Sequence, residues 1–505
     1  MRSDDISGIV IDEAIAIHRE LGPGLFESVY ETVLAGRLEA RRLKVARQEG
    51  SRKAAHHLFE IIEAARRAAS EFFWRNNEGR HSADSQQPRC GLDFSAVSFP
   101  LRPPRETQKG TTFIMQTKAG DPGAFAHFDL SRVDSPAFVV DAAKLRANLK
   151  ILADIRDAAD IKVLAALKAF SMWSVAPIIG EYLDGVCTSG LWEARLASEF
   201  YDGEIATYSA AYKPDELEEI CRLSDHVIFN SPGQMERAAL ILDHARSSGQ
   251  AFDIGLRINP QVPTGEVPRY DPSSPGSRLG FPLEQLTEEH MEGVDGIHFH
   301  NLCEQDLEPL KDTWDKVFDA IEPYFGQLKW INMGGGHHIT RADYQREELV
   351  EFLRDAKEDT GCEIMLEPGE AVALDAGILV GTILDCGINE MPLAITDISA
   401  TCHMPDVIEA PYRPAMLHEE QGQGQPVRLG GPSCLAGDVI GDYRLPVPCE
   451  PGQRIAFLDQ AHYSMVKTNT FNGVQLPSIY LWDSDTDNLD LVKSFGYEDF
   501  RDRLS

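Results

Sequence analysis

The stretch Val163-Leu164-Ala165-Ala166-Leu167-Lys168-Ala169-Phe170 decides the fold: an apolar run of strand length goes straight into a lysine. The same design returns at Gly185–Ser189, Ile205–Ser209, His226–Asn230, Ile254–Asn259, Gly296–Asn301, Trp330–Gly334 and Glu363–Glu367. Stretches with helical periodicity lie between, among them Pro214–Leu223, Pro232–Ser247 and Arg346–Thr360. Parallel strands need crossover helices, so eight such units in succession predict an α/β fold, a TIM (β/α)8 barrel. At or near the ends of the runs stand Lys168, Ser189, Ser209, Asn230, Arg257, His300, Gly334-Gly335-Gly336 and Glu367. One polar residue there is ordinarily a loop residue or a helix cap. A series of them marks the C-terminal face on which barrels carry their sites.

Outward from the barrel, expected over 131–369, the pattern changes on both sides. After Glu370, runs such as Leu393–Thr396, Arg454–Leu458 and Ser478–Trp482 alternate with Pro/Gly-rich turns, predicting an antiparallel β domain over 370–505. Ala137–Asp141 precedes the barrel and is expected to pair with that domain. Residues 76–130 are rich in Ser, Gln, Pro, Arg and Gly and read as linker or disorder. Residues 1–75 read as an N-terminal helical extension. There Ile6, Ile9, Ile11, Ala14, Ile17 and Leu21 recur at helical steps up to a stop at Gly22-Pro23-Gly24.

Charge divides the chain in the same place. Residues 1–114 hold 17 Lys+Arg against 16 Asp+Glu, so the formal net charge of −32 belongs entirely to residues 115–505. Such acidity argues against nucleic-acid binding, which needs a cationic face, and suits a cationic small-molecule substrate. No apolar run reaches the ~18 residues of a membrane span, and the acidic start does not read as a secretory signal. Nine scattered cysteines form no CxxC pair. They indicate neither zinc nor any other metal and fit a reducing, cytoplasmic setting.

Several strand-end residues supply the parts for pyridoxal 5′-phosphate (PLP). Lys168 is either a lysine snorkelling to solvent or a desolvated amine suited to bonding an aldehyde. Gly334-Gly335-Gly336 can turn backbone N–H groups toward a phosphate, although a triple glycine alone is a weak signal. Glu367, in Leu366-Glu367-Pro368-Gly369, can hold a proton on a pyridine nitrogen, and His300 can stack on that ring.

These residues sit in LAALKAF (164–170), GIHFHN (296–301), NMGGGHH (332–338), EPGEA (367–371), CHMPDV (402–407), GPSCLAGD (431–438) and DQAHYSMVKTNTFNG (459–473). Through them residues 133–480 resemble the alanine racemase-like (fold type III) PLP decarboxylases, and within these the carboxynorspermidine/carboxyspermidine decarboxylase family. The resemblance implies a homodimer with shared sites that converts these carboxypolyamines to norspermidine or spermidine in polyamine biosynthesis. It implies that Lys168 bonds the cofactor, His300 stacks on its ring, Glu367 pairs with the ring nitrogen, and Gly335 and Gly336 hold the phosphate with Tyr463 nearby. Cys434 would be catalytic in the partner subunit's site, a role that rests on the resemblance, since a lone cysteine is otherwise most often inert. Glu370, Asp406 and Asp438 would bind substrate.

Two departures from ornithine and diaminopimelate decarboxylases bear on the substrate. Glu370 stands where those relatives usually carry Arg, an exchange of charge that favours an amine. Leu435 stands where ornithine decarboxylase has an acid. The alternatives are a decarboxylase of the diaminopimelate or arginine type and a non-enzymatic PLP-binding protein, although such carriers lack the β domain and the GPSCLAGD loop. Separately, Gly24-Leu25-Phe26-Glu27-Ser28-Val29-Tyr30 resembles the GxxExxY family, itself similar to PD-(D/E)xK nucleases, over a fragment at 5–48 without the acidic catalytic continuation.

Overall fold

The computed structural model describes residues 119–265, 271–420, 425–445 and 448–505; the expected helical extension at 1–75 and its GxxExxY-like fragment lie outside them. The eight apolar runs form strands β2 (Lys162–Ala166), β3 (Gly185–Thr188), β4 (Glu204–Tyr208), β5 (His226–Phe229), β6 (Asp253–Asn259), β8 (Gly296–His298), β9 (Trp330–Asn332) and β10 (Glu363–Leu366). All pair in parallel, in the order β5-β4-β3-β2-β10-β9-β8-β6, and the β5–β6 pairing closes the barrel. The minor strand β7 (Phe281–Pro282) adds to the end of β6. Helices span Pro214–Leu223, Pro232–Ser247 and Arg346–Thr360, the intervals expected from periodicity.

Side-chain parity along each strand sorts the barrel into two cores. Val163, Ala165 and Leu167 face the helical layer with Ile297, Phe299, Ile331, Ile364 and Leu366. Leu164 and Ala166 face the interior with Cys187, Ala206, Ile228, Trp330 and Met365. Trp330 fills that interior because glycines admit it: a Cβ on Gly296 would come within 2.1 Å of the indole, and one on Gly255 within 2.5 Å. Interior parity carries past the strand ends to Lys168, His300, Gly334 and Glu367, which is how an apolar strand delivers a polar group to the barrel mouth. On β4 the interior residue at that level is Tyr208, not Ser209, because Ser209 has the opposite parity.

The second sheet comprises β1 (Ala137–Asp141), β11 (Gly377–Asn389), β12 (Met391–Thr396), β13 (Val427–Gly430), β14 (Val439–Tyr443), β15 (Arg454–Leu458), β16 (Ser478–Asp483) and β17 (Asn488–Lys493). β1 lies between β11 and β16; β15 pairs with the same first part of the long β11 along its other edge, and β12 with the remainder. The sheet is mixed rather than purely antiparallel: β1–β16 and β12–β13 run parallel, because each pair is joined by a long excursion and not by a hairpin. The last part of the expected linker also differs from expectation. Residues Gly123–His127 form a 3-10 turn, and Phe125 and Phe128 are buried with their rings 5.2 and 4.8 Å from Trp482. Two aromatics in a polar stretch leave no periodic signal, yet they cover this face of the sheet. No helix among the described residues is long and apolar enough to cross a membrane.

Candidate active site

At the barrel mouth Lys168 Nζ lies 3.3 Å from His300 Nε2, while His300 Nδ1 accepts a hydrogen bond of 2.9 Å from the Gly335 N–H. That backbone donor fixes the tautomer: the neutral ring carries its proton on Nε2, facing the lysine. Burial, reinforced by the Lys168 and Arg257 charges, holds the His300 pKa well below the usual range, so the ring stays neutral. Arg257, itself buried, donates to the His300 carbonyl at 2.9 Å and lies 4.4 Å over the Tyr208 ring.

Glu367 is anchored on both oxygens: Asn332 Nδ2 donates to Oε1 at 2.7 Å and His298 Nε2 to Oε2 at 3.2 Å. Burial alone would raise its pKa, but His298, Lys168 and Asn332 outweigh that and lower it to about 2. A permanent anion is therefore held inside the barrel. The glycine loop packs against it. A Cβ on Gly335 would sit 2.0 Å from the Glu367 carbonyl oxygen, and one on Gly336, at φ +89°, would sit 2.1 Å from that of Leu302. Gly336 lines the cavity, whereas the Gly335 N–H is spent on His300.

The cavity has a volume of about 750 Å³ and takes in Lys168, His300, Glu367, Gly336, Glu370, Asp406 and Tyr463. Glu370 opens a short helix (Glu370–Ala373), and its Oε2 receives His338 Nε2 at 2.8 Å. Its Oε1 lies 4.0 Å from His462 Nδ1, and the other nitrogen of that ring is 3.1 Å from Asp459 Oδ1. Burial disfavours charge on His462, but Asp459 and Glu370 outweigh it and raise the pKa to about 9. Glu370 is lowered in turn, burial being overcome by His338 and His462. Asp406 reaches the cavity already paired, with Lys467 Nζ at 2.5 Å.

The structure separates two expected residues from this cluster. Cys434 is exposed, its N–H bound to Asn472 Oδ1 at 2.6 Å, and does not line the cavity. Asp438, expected at the substrate, is buried: its carboxylate accepts from Ser399 at 2.8 Å and Ser433 at 2.6 Å. An acid that closes a loop on two hydroxyls has no free face in this cavity. Conversely, His298, Asn332, His338, Glu304, Asp459 and His462 belong to the site and were missed. His298 and Asn332 were within reach of the parity argument, two residues before His300 and Gly334 on the same strand face. His462 lies in the 459–473 motif, but neither strand parity nor periodicity singles it out there.

Chemically the mouth offers an amine beside a neutral imidazole, a buried carboxylate that stays ionised, and a loop where only glycine fits. A pyridine ring with an aldehyde and a phosphate matches that set: amine for aldehyde, anion for ring nitrogen, and the glycine cradle for phosphate.

Known proteins match both parts of the chain. A model of the PD-(D/E)XK nuclease superfamily matches residues 4–53. Over 382 residues the chain is 37% identical to a carboxynorspermidine/carboxyspermidine decarboxylase of Campylobacter jejuni, spanning 73% of this chain and 98% of that protein. Over 379 residues it is 38% identical to a carboxyaminopropylagmatine decarboxylase of Synechocystis, spanning 74% and 96% respectively. The crystal structure of carboxynorspermidine decarboxylase from Campylobacter jejuni, complexed with norspermidine, superposes with a TM-score of 0.66 at 37% identity, covering 74% of this chain and all of that one. Diaminopimelate decarboxylase of Helicobacter pylori shares the fold at 18% identity, with a TM-score of 0.65 over 73% of this chain and 96% of that one.

Proposed function

The chain belongs to the carboxynorspermidine/carboxyspermidine decarboxylase family, and on that footing we propose that it releases CO2 from a carboxypolyamine with PLP as cofactor, as a homodimer. The observation that carries this is one cavity lined both by Lys168, His300 and Glu367 and by Glu370 with its histidines. When bound, PLP supplies an electron sink for the pair left by departing CO2. Lys168 is the residue to hold its aldehyde carbon, and Glu367, ionised at any working pH, holds a proton on the ring nitrogen. Gly336 forms the phosphate side with Tyr463, and Gly335, whose N–H is bound to His300, shapes the loop behind it. His300, locked by the Gly335 N–H, presents a neutral ring beside the lysine and adds no competing charge.

Glu370 and Asp406 receive the cationic tail of the substrate. Asp406 does so in exchange with Lys467, so an entering ammonium replaces a charge partner already present. Returning a proton to the α-carbon falls to Cys434 Sγ of a second copy, because in its own chain this thiol lies off the cavity.

The test is CO2 release from carboxynorspermidine, carboxyspermidine, carboxyaminopropylagmatine and diaminopimelate by wild type and Lys168→Ala. Turnover of the carboxypolyamines, lost in Lys168→Ala together with the absorbance of the lysine-bound cofactor, is the expected result. Preference for diaminopimelate, or an undiminished Lys168→Ala enzyme, refutes the assignment.

A further inference from the structure

Every carboxylate that lines the cavity has a partner, with one exception. Glu367 is held by His298 and Asn332, Glu370 by His338, Asp459 by His462, Asp406 by Lys467, and Asp306 by Arg341. Asp271 accepts two backbone N–H bonds, and Glu308 meets Lys311. Glu304 makes no hydrogen bond and no ion pair among the described residues, although it is half-buried and lines the same cavity. It sits at φ +53°, a backbone region that a glutamate side chain does not favour. Its electrostatic neighbours come from three other segments: Glu370, His338, and His462 with Asp459. Burial and the Glu370 charge raise its pKa to about 7. An unpaired acid beside a second acid is costly to ionise, and a cation placed between them removes that cost.

The chemistry of such a cation is narrow. Glu370 has one oxygen committed to His338, while its Oε1 is 4.0 Å from the nearest histidine nitrogen and accepts no hydrogen bond from it. Two acceptors from two carboxylates match a secondary ammonium, which has two N–H donors and an alkyl chain on either side. A primary ammonium offers three donors at a chain end, and a methylene offers none.

We propose that Glu304, together with Glu370 Oε1, binds the internal secondary ammonium of the substrate and is the residue that distinguishes a polyamine chain from an all-carbon one. This rests on the polyamine reading above and adds a residue and a specificity to it. Asp406 then serves a terminal amine, and a substrate without an internal nitrogen leaves Glu304 and Glu370 unpaired.

The experiment is calorimetric titration of the PLP-loaded enzyme with norspermidine and with α,ω-diaminoheptane, which has the same length and the same terminal amines but a methylene for the internal nitrogen. In wild type, norspermidine is expected to bind about tenfold or more tightly than the diamine, the scale of a charge-assisted hydrogen bond. Glu304→Gln should remove most of that ratio by weakening norspermidine alone, leaving the diamine within about twofold. Glu304→Asp, which keeps the charge at shorter reach, should recover part of it. Unchanged cofactor absorbance in each variant establishes that the site is intact. Equal weakening of both ligands by Glu304→Gln, or a ratio that persists, overturns the proposal. Failure of wild type to bind either amine overturns the polyamine reading itself, and the inference with it.

Discussion

The His462–Asp459 contact yields a quantitative test of the cavity's electrostatics. The ring is buried, 13% exposed, 3.1 Å from Asp459 and 4.0 Å from Glu370, and these acids lift its pKa from 6.5 to about 9 against the effect of burial. A base whose folded-state pKa is raised stabilises the fold fully below its unfolded value and loses that contribution as pH rises through the folded value. At ~1.4 kcal/mol for each pH unit between 6.5 and about 9, the charged ring is worth about 3 kcal/mol in acid and nothing in strong alkali. Glu304 is also raised, so its contribution likewise falls as pH rises. Its raised carboxyl favours folding while protonated and opposes it once ionised, in the window from 4.5 to about 7. His338 is also raised, burial being outweighed by Glu370, so the His462 contribution is read as the difference between wild type and a His462 variant. Urea unfolding of wild type and His462→Gln, without amine present, should show a stability difference that shrinks by about 3 kcal/mol between pH 6.5 and about 9. A difference that stays flat across that interval would refute the buried ion pair and the cluster built on it.

Packing and the proposed sharing of sites between two copies set three further outcomes. Gly296→Ala should destabilise by about 1–3 kcal/mol, because its Cβ meets the Trp330 indole at 2.1 Å; Trp330→Leu in the same chain should recover part of the loss, measured by denaturant unfolding. Phe125→Ala should cost about 3–5 kcal/mol if the segment before β1 is docked on Trp482 as described, and a loss below about 1 kcal/mol counts against that docking. Co-refolded Lys168→Ala and Cys434→Ala chains, each inactive alone, should regain about a quarter of wild-type turnover, since half the mixed dimers' sites combine both intact residues. No recovery would mean that Cys434 does not act across an interface.

Much of the barrel was written locally. Short apolar runs separated by helical intervals specify parallel strands wherever they occur, and strand parity carries Lys168, His300 and Glu367 into one mouth from positions as far apart as 168 and 367. The same rule extends to His298 and Asn332. The docking of Phe125 and Phe128 was not legible, because two aromatics in a polar stretch have no period until there is a surface to meet. The two parallel pairings in the second sheet were not legible either, since register between distant strands depends on which edges the barrel connection leaves available.

The sequence by itself determined the strand–helix order, the residues at the strand ends and the surplus of acid. Tertiary structure alone decided which acids are paired. Glu304, Glu370 and His462 come from three separate segments, and Asp406, equally acidic on paper, arrives with Lys467 attached. The physical reason is that a carboxylate's charge, and its use, depend on distance to other charges and on exclusion of water. Both are properties of the folded cavity, and neither is carried by any local stretch of chain.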